Sequence, residues 1–148
     1  ISAALRAVGD TSGGLHYERK ALGIRERLYE DNPADAIRKR ALASSLTTLS
    51  GSLSQLGDWA GVLETRREAL KMHEELVAAD PSSQPDQRAL ALALARMGSI
   101  EMHEGNLESA LSRYRQALEI ESRLLDRDPT NVQLQLSRAW AQNNLGVA

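Results

Sequence analysis

The sequence predicts an all-α fold, an α-solenoid in which antiparallel helix pairs stack on one another. The first observation is self-similarity at an offset of 48 residues, with seven positions identical in three copies. The second is composition: Leu and Ala supply 44 of the 148 residues, which favours helices, and β-branched residues are few. The third is the recurrence of apolar residues every three or four positions, which is typical of amphipathic helices. Repeats of this length bury their apolar faces against neighbouring copies.

The seven identical positions define the repeat units. They are Gly9, Gly57 and Gly105; Leu15, Leu63 and Leu111; Arg19, Arg67 and Arg115; Ala21, Ala69 and Ala117; Leu22, Leu70 and Leu118; Leu28, Leu76 and Leu124; and Pro33, Pro81 and Pro129. The chain is therefore predicted to be one repeat array over 1–148, with units of about 1–33, 34–81 and 82–129 and a partial unit over 130–148.

The elements follow in order from this register. Residues 1–8 align with 49–56 and are predicted to be the last turns of a truncated helix. The next helices are predicted over 11–31, 34–56, 59–79, 84–104, 107–127 and 131–147. Each full helix has about 20 residues and a length of about 30 Å.

Two kinds of turn separate these helices. The pairs Gly9-Asp10, Gly57-Asp58 and Gly105-Asn106 precede three of them. In each pair the glycine suits a left-handed helix end, and the Asp or Asn side chain is predicted to cap the next helix. The other turns contain Pro33, Pro81 and Pro129, which are predicted in the first helical turn. Thr130 and Gln133 predict a capping box for the last helix.

Composition excludes several classes of function. The absence of cysteine excludes disulfides, thiolate metal sites and a cysteine nucleophile, and favours a cytoplasmic location. A net charge of −2 provides no basic field for nucleic acid. No apolar run approaches the roughly 20 residues of a membrane span. Because the chain starts at Ile1 and stops within the pattern, we expect it to be a fragment of a larger protein.

Residues 94–118 resemble the tetratricopeptide repeat (TPR) consensus. The resemblance rests on Leu94, Met97-Gly98, Gly105, Ala110, Tyr114 and Ala117-Leu118. In the preceding copy, Ser50 and Arg66 replace the expected glycine and aromatic residue, and Gln142, Leu145 and Gly146 begin another copy. The standard repeat has 34 residues, so a 48-residue unit resembles the long-helix variety of kinesin light chains and of large bacterial regulatory proteins.

This resemblance implies a right-handed superhelix whose concave groove binds a peptide or a partner protein. The residues that the family pattern places near this groove are Thr47, Ser54, Ser99, Met102, His103, Trp140, Asn143 and Asn144. The sequence lacks the lysine–asparagine clamp by which chaperone-binding members hold a C-terminal carboxylate. The Asn143-Asn144-Leu145 run instead resembles the kinesin light chain motif, whose amides both donate to and accept from a peptide backbone. For Trp140, a groove anchor and a core residue remain equal alternatives.

No constellation in the sequence predicts catalysis, a metal or a cofactor. His16, His73 and His103 lack helical zinc spacing and are predicted to be solvated. The carboxylates, Glu119 and Glu121 among them, are interleaved with basic residues and are also predicted to be solvated. The recurring arginines are predicted to pack their stems over a neighbouring helix.

The leading functional hypothesis is a non-enzymatic scaffold in a bacterial regulatory protein. It would bind an extended protein or peptide segment in its groove. The alternative is self-association, because array ends without polar outer faces leave apolar surface open. An enzyme ranks last among the hypotheses, and neither nucleic acid nor a membrane is predicted as a partner.

Overall fold

The computed structural model describes the backbone of residues 11–146 and the side chains of residues 13–143. This part of the chain contains six α-helices and no strand, which confirms the all-α prediction. They are α1 (Thr11–Asp31), α2 (Ala36–Gln55), α3 (Trp59–Ala79), α4 (Gln84–His103), α5 (Leu107–Arg127) and α6 (Val132–Leu145). The helix predicted over 1–8 and the Gly9-Asp10 turn lie outside the described residues.

The glycine turns have the predicted backbone. Gly57 has a φ of 74° and Gly105 a φ of 79°, so each follows its helix in the left-handed region that glycine adopts without steric cost. After Gly57, the Asp58 carboxylate accepts the Gly61 N–H at 2.9 Å and caps α3 as predicted. The predicted cap by the Asn106 side chain is wrong, because its oxygen accepts no hydrogen bond from the first turn of α5. The amide nitrogen of the same side chain donates to the Glu104 carboxylate at 3.2 Å.

The proline turns differ from the prediction. Pro33, Pro81 and Pro129 are not in the first helical turn but three residues before α2, α4 and α6 begin. Before Pro81, the Asp80 carboxylate accepts hydrogen bonds from the Ser82 N–H at 3.0 Å and hydroxyl at 2.7 Å. These bonds hold Pro81 in a local turn ahead of α4, which begins at Gln84 as predicted. They also lower the pKa of Asp80, the hydroxyl bond being the largest cause.

The helices after the Pro33 and Pro129 turns start later than predicted, α2 at Ala36 instead of 34 and α6 at Val132 instead of 131. The Asp35 carboxylate caps α2 by accepting the Ile37 N–H at 2.8 Å. For α6 the cap is Asn131, whose side-chain oxygen accepts the Leu134 N–H at 3.2 Å. The capping box of Thr130 with Gln133 is therefore wrong by one residue. Thr130 lies one residue before this cap, and its hydroxyl donates to the Asp128 carboxylate at 3.0 Å.

The chain divides into two compact units, one up to Met72 and the other from His73, so the boundary lies within α3. In the first unit α1 packs against α2, and in the second unit α5 packs against both α4 and α6. Buried apolar side chains recur at the same repeat positions in α2 and α4, which supports the 48-residue register. These side chains include Leu42, Leu46 and Leu49 in α2 and Leu90, Leu94 and Met97 in α4. No helix in the described stretch combines the length and the apolar character that crossing a bilayer demands.

Candidate functional site

The second unit is organised around Tyr114, which is 1% exposed and packs closely over Gly98. A Cβ atom at position 98 would lie 3.1 Å from Cε1 of Tyr114 and 3.1 Å from the carbonyl oxygen of Ala110. Only a residue without a side chain leaves the ring and the backbone of α5 this close to α4. The Gly98–Tyr114 pairing of the sequence motif is therefore a direct packing contact between α4 and α5.

Tyr114 brings two of the predicted groove residues together. Its hydroxyl is hydrogen-bonded by Ser99 of α4, and burial raises the pKa of this phenol while the bond from Ser99 opposes the rise. On its other side, the Trp140 ring of α6 meets the Tyr114 ring edge to face, with centroids 5.7 Å apart and planes at 77°. The sequence motif gave no indication that Ser99 and Trp140 would share one partner.

Trp140 is both a packing residue and an exposed one. One part of its ring contacts Tyr114, while 46% of the residue remains exposed. Trp140 is therefore a packing residue in part, and its role as a groove anchor stays a prediction. Such a half-exposed indole, held by a buried neighbour, offers an ordered apolar surface.

The other predicted residues do not join this cluster. In the second unit, Met102 is half-buried and His103 is exposed at the end of α4, and Asn143 is exposed on α6. The side chain of Asn144 lies outside the described residues. Thr47 and Ser54 belong to the first unit and are half-buried. The Thr47 hydroxyl donates to the Ala43 carbonyl of its own helix at 3.0 Å, so it keeps only acceptor capacity for a ligand.

The first unit replaces the glycine–tyrosine contact by a polar one. Ser50 and Arg66 occupy the positions equivalent to Gly98 and Tyr114. The Arg66 Nε donates to the Ser50 hydroxyl at 2.8 Å, and Ser50 is 2% exposed. The two departures from the family pattern are therefore matched to each other, because the hydroxyl supplies an acceptor for the guanidinium that replaces the ring.

The sequence pattern did not predict a separation of charge between helices. Within α2, α4 and α6 the only carboxylates are Asp86, which is 2% exposed, and Glu101, which is 8% exposed. Asp86 accepts the Ser83 hydroxyl at 2.7 Å, and Glu101 faces the Arg113 Nε at 3.6 Å. The overall balance of 18 basic and 20 acidic residues hides this distribution. Counting charges helix by helix would have found it.

The exposed residues of α4 and α6 are consequently basic, apolar or neutral polar. Arg88 of α4 and Arg138 of α6 are exposed. Leu92 and Trp140, which occupy equivalent repeat positions, are 47% and 46% exposed. Leu136, one turn before Trp140, is 60% exposed. We call Arg88, Leu92, Leu136 and Trp140 the Leu92–Trp140 surface. Arg138 lies on another side of α6, because residues two positions apart on a helix do not face each other. Since α4 and α6 both pack on α5, the two helices share one support.

Two ionisable side chains that were predicted to be solvated are covered by neighbouring residues: Glu121 is buried and His73 is half-buried. Glu121 of α5 is 5% exposed, and burial raises its pKa to about 7. For His73, burial lowers the pKa, the Asp86 charge partly opposes this shift, and the ring Nδ1 is buried without a hydrogen-bond partner. The prediction failed because a polar residue in an apolar stripe does not reveal whether another helix covers it. His16 and His103 are exposed, as expected.

Comparisons with known proteins assign no identity to this arrangement. No protein-family model matches the chain, and no curated protein matches it in sequence. Among the described residues, no group of three or more His, Asp or Glu side chains is arranged to hold a metal ion. The tetratricopeptide resemblance therefore stays a prediction that rests on residue spacing.

Proposed function

We propose that this chain is a non-catalytic, TPR-like repeat module that binds an acidic, partly apolar segment of a partner protein on the Leu92–Trp140 surface. One observation carries the proposal: α4 and α6 expose arginine and large apolar side chains but no carboxylate. A chain with a net charge of −2 has carboxylates elsewhere, so their exclusion from these helices fits an acidic partner.

The chemistry of each residue defines the partner. The half-exposed Trp140 and the neighbouring Leu136 provide contact area for an apolar side chain, and burial of that area supplies the affinity. Arg88 forms charge-assisted hydrogen bonds with carboxylates that flank this side chain. Asn143 completes the surface by bonding the peptide backbone. The superhelical groove and the cytoplasmic bacterial parent protein expected from the sequence belong to the same proposal.

The direct test is fluorescence anisotropy with labelled peptides of about 12 residues, which reach about 40 Å when fully extended. One set has a central Leu or Trp flanked by Asp and Glu, and a matched set replaces the acids by Asn and Gln. We expect binding of the acidic set only, with affinity falling as salt increases. Equal affinity for both sets, or binding to neither, contradicts the proposal.

Variants of the chain locate the surface. Trp140→Ala and the charge reversal Arg88→Glu should each weaken binding at least tenfold, a loss of about 1.4 kcal/mol. Arg115→Glu is the matched control, because Arg115 is an exposed arginine on α5. The double variant Asn143→Ala with Asn144→Ala tests the amide contribution, and helix content measured by circular dichroism must remain unchanged. A control variant that weakens binding as strongly as Arg88→Glu would place the binding site elsewhere.

Self-association is the second candidate, favoured by the exposed apolar residues of α6. Val132 and Leu136 are 61% and 60% exposed and lie four residues apart on one face of the helix. Light scattering over a dilution series distinguishes this candidate. A concentration-dependent dimer that Leu136→Glu abolishes supports it, and a monomer at the highest concentration contradicts it.

A further inference from the structure

The buried carboxyl of Glu121 lies between two contacts that attach α6 to α5. Tyr114, seven residues before Glu121, meets Trp140 of α6. Leu124 and Leu125, three and four residues after it, form a buried cluster with Leu134 of α6. Spacings of seven, three and four residues place all of these side chains on one face of α5. Glu121 therefore interrupts an otherwise apolar face in the middle of the α5–α6 contact.

One oxygen of the carboxyl group has no compensating partner there. Its Oε2 atom is buried without a hydrogen-bond partner, and the residue is only 5% exposed. Burying an ionised carboxylate without a partner is unfavourable, whereas the protonated acid is tolerated. Burial is the cause of its raised pKa of about 7.

Charged groups on the surrounding helices do not relieve this cost. The titratable and charged residues on the elements packed in this unit are Arg138 on α6, Asp86, Arg88, Arg96, Glu101 and His103 on α4, and His73, Glu74 and Glu75 on the adjoining part of α3. No hydrogen bond or ion pair described in the structure joins any of them to Glu121. On α5 itself, the neighbouring Glu119 and Arg123 form an exposed pair with each other.

We propose that Glu121 is a proton-linked latch: the protonated carboxyl holds α6 against α5, and its ionisation loosens α6 and with it the Leu92–Trp140 surface. This inference rests on the proposed function, because it describes how the same binding surface is regulated. The partner would bind when the surroundings are mildly acidic and would be released as the pH rises.

The expected size of the effect follows from proton linkage. A carboxyl that titrates at about 7 when covered and at 4.5 when released changes the equilibrium for loosening α6 by about 300-fold in total. Because the pKa of Glu121 is raised while α6 covers α5, the stabilisation of this packing is fully present below pH 4.5. It is lost as the pH rises through about 7. Between about pH 6 and pH 8 the equilibrium changes about tenfold.

Hydrogen exchange measured by mass spectrometry on the whole chain tests the latch without any partner. The protection factors of the α6 amides, corrected for intrinsic exchange, should fall about tenfold from about pH 6 to pH 8. Glu121→Gln mimics the protonated acid and should abolish this fall. The matched control is Glu119→Gln, which removes an exposed carboxylate two residues away and should behave as the original chain does.

Fluorescence provides a second measurement. In a Trp59→Phe background Trp140 is the only tryptophan, and its emission reports its contact with Tyr114. The emission should titrate with the same midpoint as the exchange of α6 and should stay constant in Glu121→Gln. A pH response that persists in Glu121→Gln, or no response in the original chain, overturns the latch.

The binding proposal is tested separately with the acidic peptide probe at the two pH values. The original chain should bind this probe several-fold more weakly at about pH 8 than at pH 6, and Glu121→Gln should bind it equally at both. Absence of peptide binding at both values contradicts the proposed function but leaves the exchange result valid. If the original chain binds the peptide with equal affinity at both pH values, only the latch is contradicted.

Discussion

Replacement of Gly98 by alanine tests the close packing of α4 on α5. Alanine in a helix interior is favoured over glycine by about 1 kcal/mol, so the backbone alone predicts stabilisation. The new methyl group would lie 3.1 Å from both the Ala110 carbonyl oxygen and Cε1 of Tyr114. The carbonyl belongs to the backbone of α5 and cannot rotate away. Overpacking of this kind costs about 1–3 kcal/mol, so the net effect is destabilisation of about 0–2 kcal/mol.

Gly51 provides a matched control for this substitution. It is a helix-interior glycine of α2, and a Cβ atom placed there would meet nothing within 4 Å. Gly51→Ala should therefore gain up to about 1 kcal/mol with no steric cost. The two variants should differ by about 1–3 kcal/mol, which isolates the packing contribution.

Thermal and urea unfolding followed by circular dichroism measures both variants. For a chain of this size each kcal/mol shifts the melting temperature by about 2–4 °C. Gly51→Ala should melt above the original chain, and Gly98→Ala should melt at or below it. If Gly98→Ala stabilises the chain as much as Gly51→Ala does, the contact between α4 and α5 is looser than described and the reasoning fails.

Three further predictions concern single side chains. Arg66→Ala should lower the free energy of unfolding by about 1 kcal/mol. A double-mutant cycle with Ser50→Ala should show that part of this loss is coupling energy between the two side chains. Asp35→Ala should cost about 1 kcal/mol because it removes the cap of α2, whereas Asn106→Ala should cost nearly nothing; equal melting temperatures would refute the distinction. Glu121→Gln should stabilise the chain at pH 8 by up to about 3 kcal/mol and have a smaller effect near pH 5, as urea titrations at both values would show.

The sequence predicted the helices well because strong local signals mark their ends. The predicted bounds of 11–31, 59–79 and 107–127 coincide with α1, α3 and α5. In the two turns described, Gly57 and Gly105 adopt the positive φ that glycine favours. These signals act over a few residues and require no knowledge of the tertiary contacts.

The candidate site was only partly predictable, because its decisive features depend on which groups compete in three dimensions. The Asn106 side chain makes no capping bond and its amide nitrogen donates to Glu104, and helix periodicity does not predict where a side chain turns. Glu121 looked like a surface charge because the sequence does not show that neighbouring helices cover this face of α5. Trp140 was identified as a candidate, but its contact with Tyr114 joins residues of two different helices.

The matched pairs Ser50–Arg66 and Gly98–Tyr114 have a consequence for anyone who builds chimeras from this chain. Grafting α3 alone into the second unit would bring Arg66 opposite a glycine that offers no side-chain acceptor. The reciprocal graft would force a tyrosine ring onto the hydroxymethyl group of Ser50, where the neighbouring helix has no room for both. Transplanting two consecutive helices together keeps each pair intact. The smallest exchangeable module of this protein is therefore a complete hairpin.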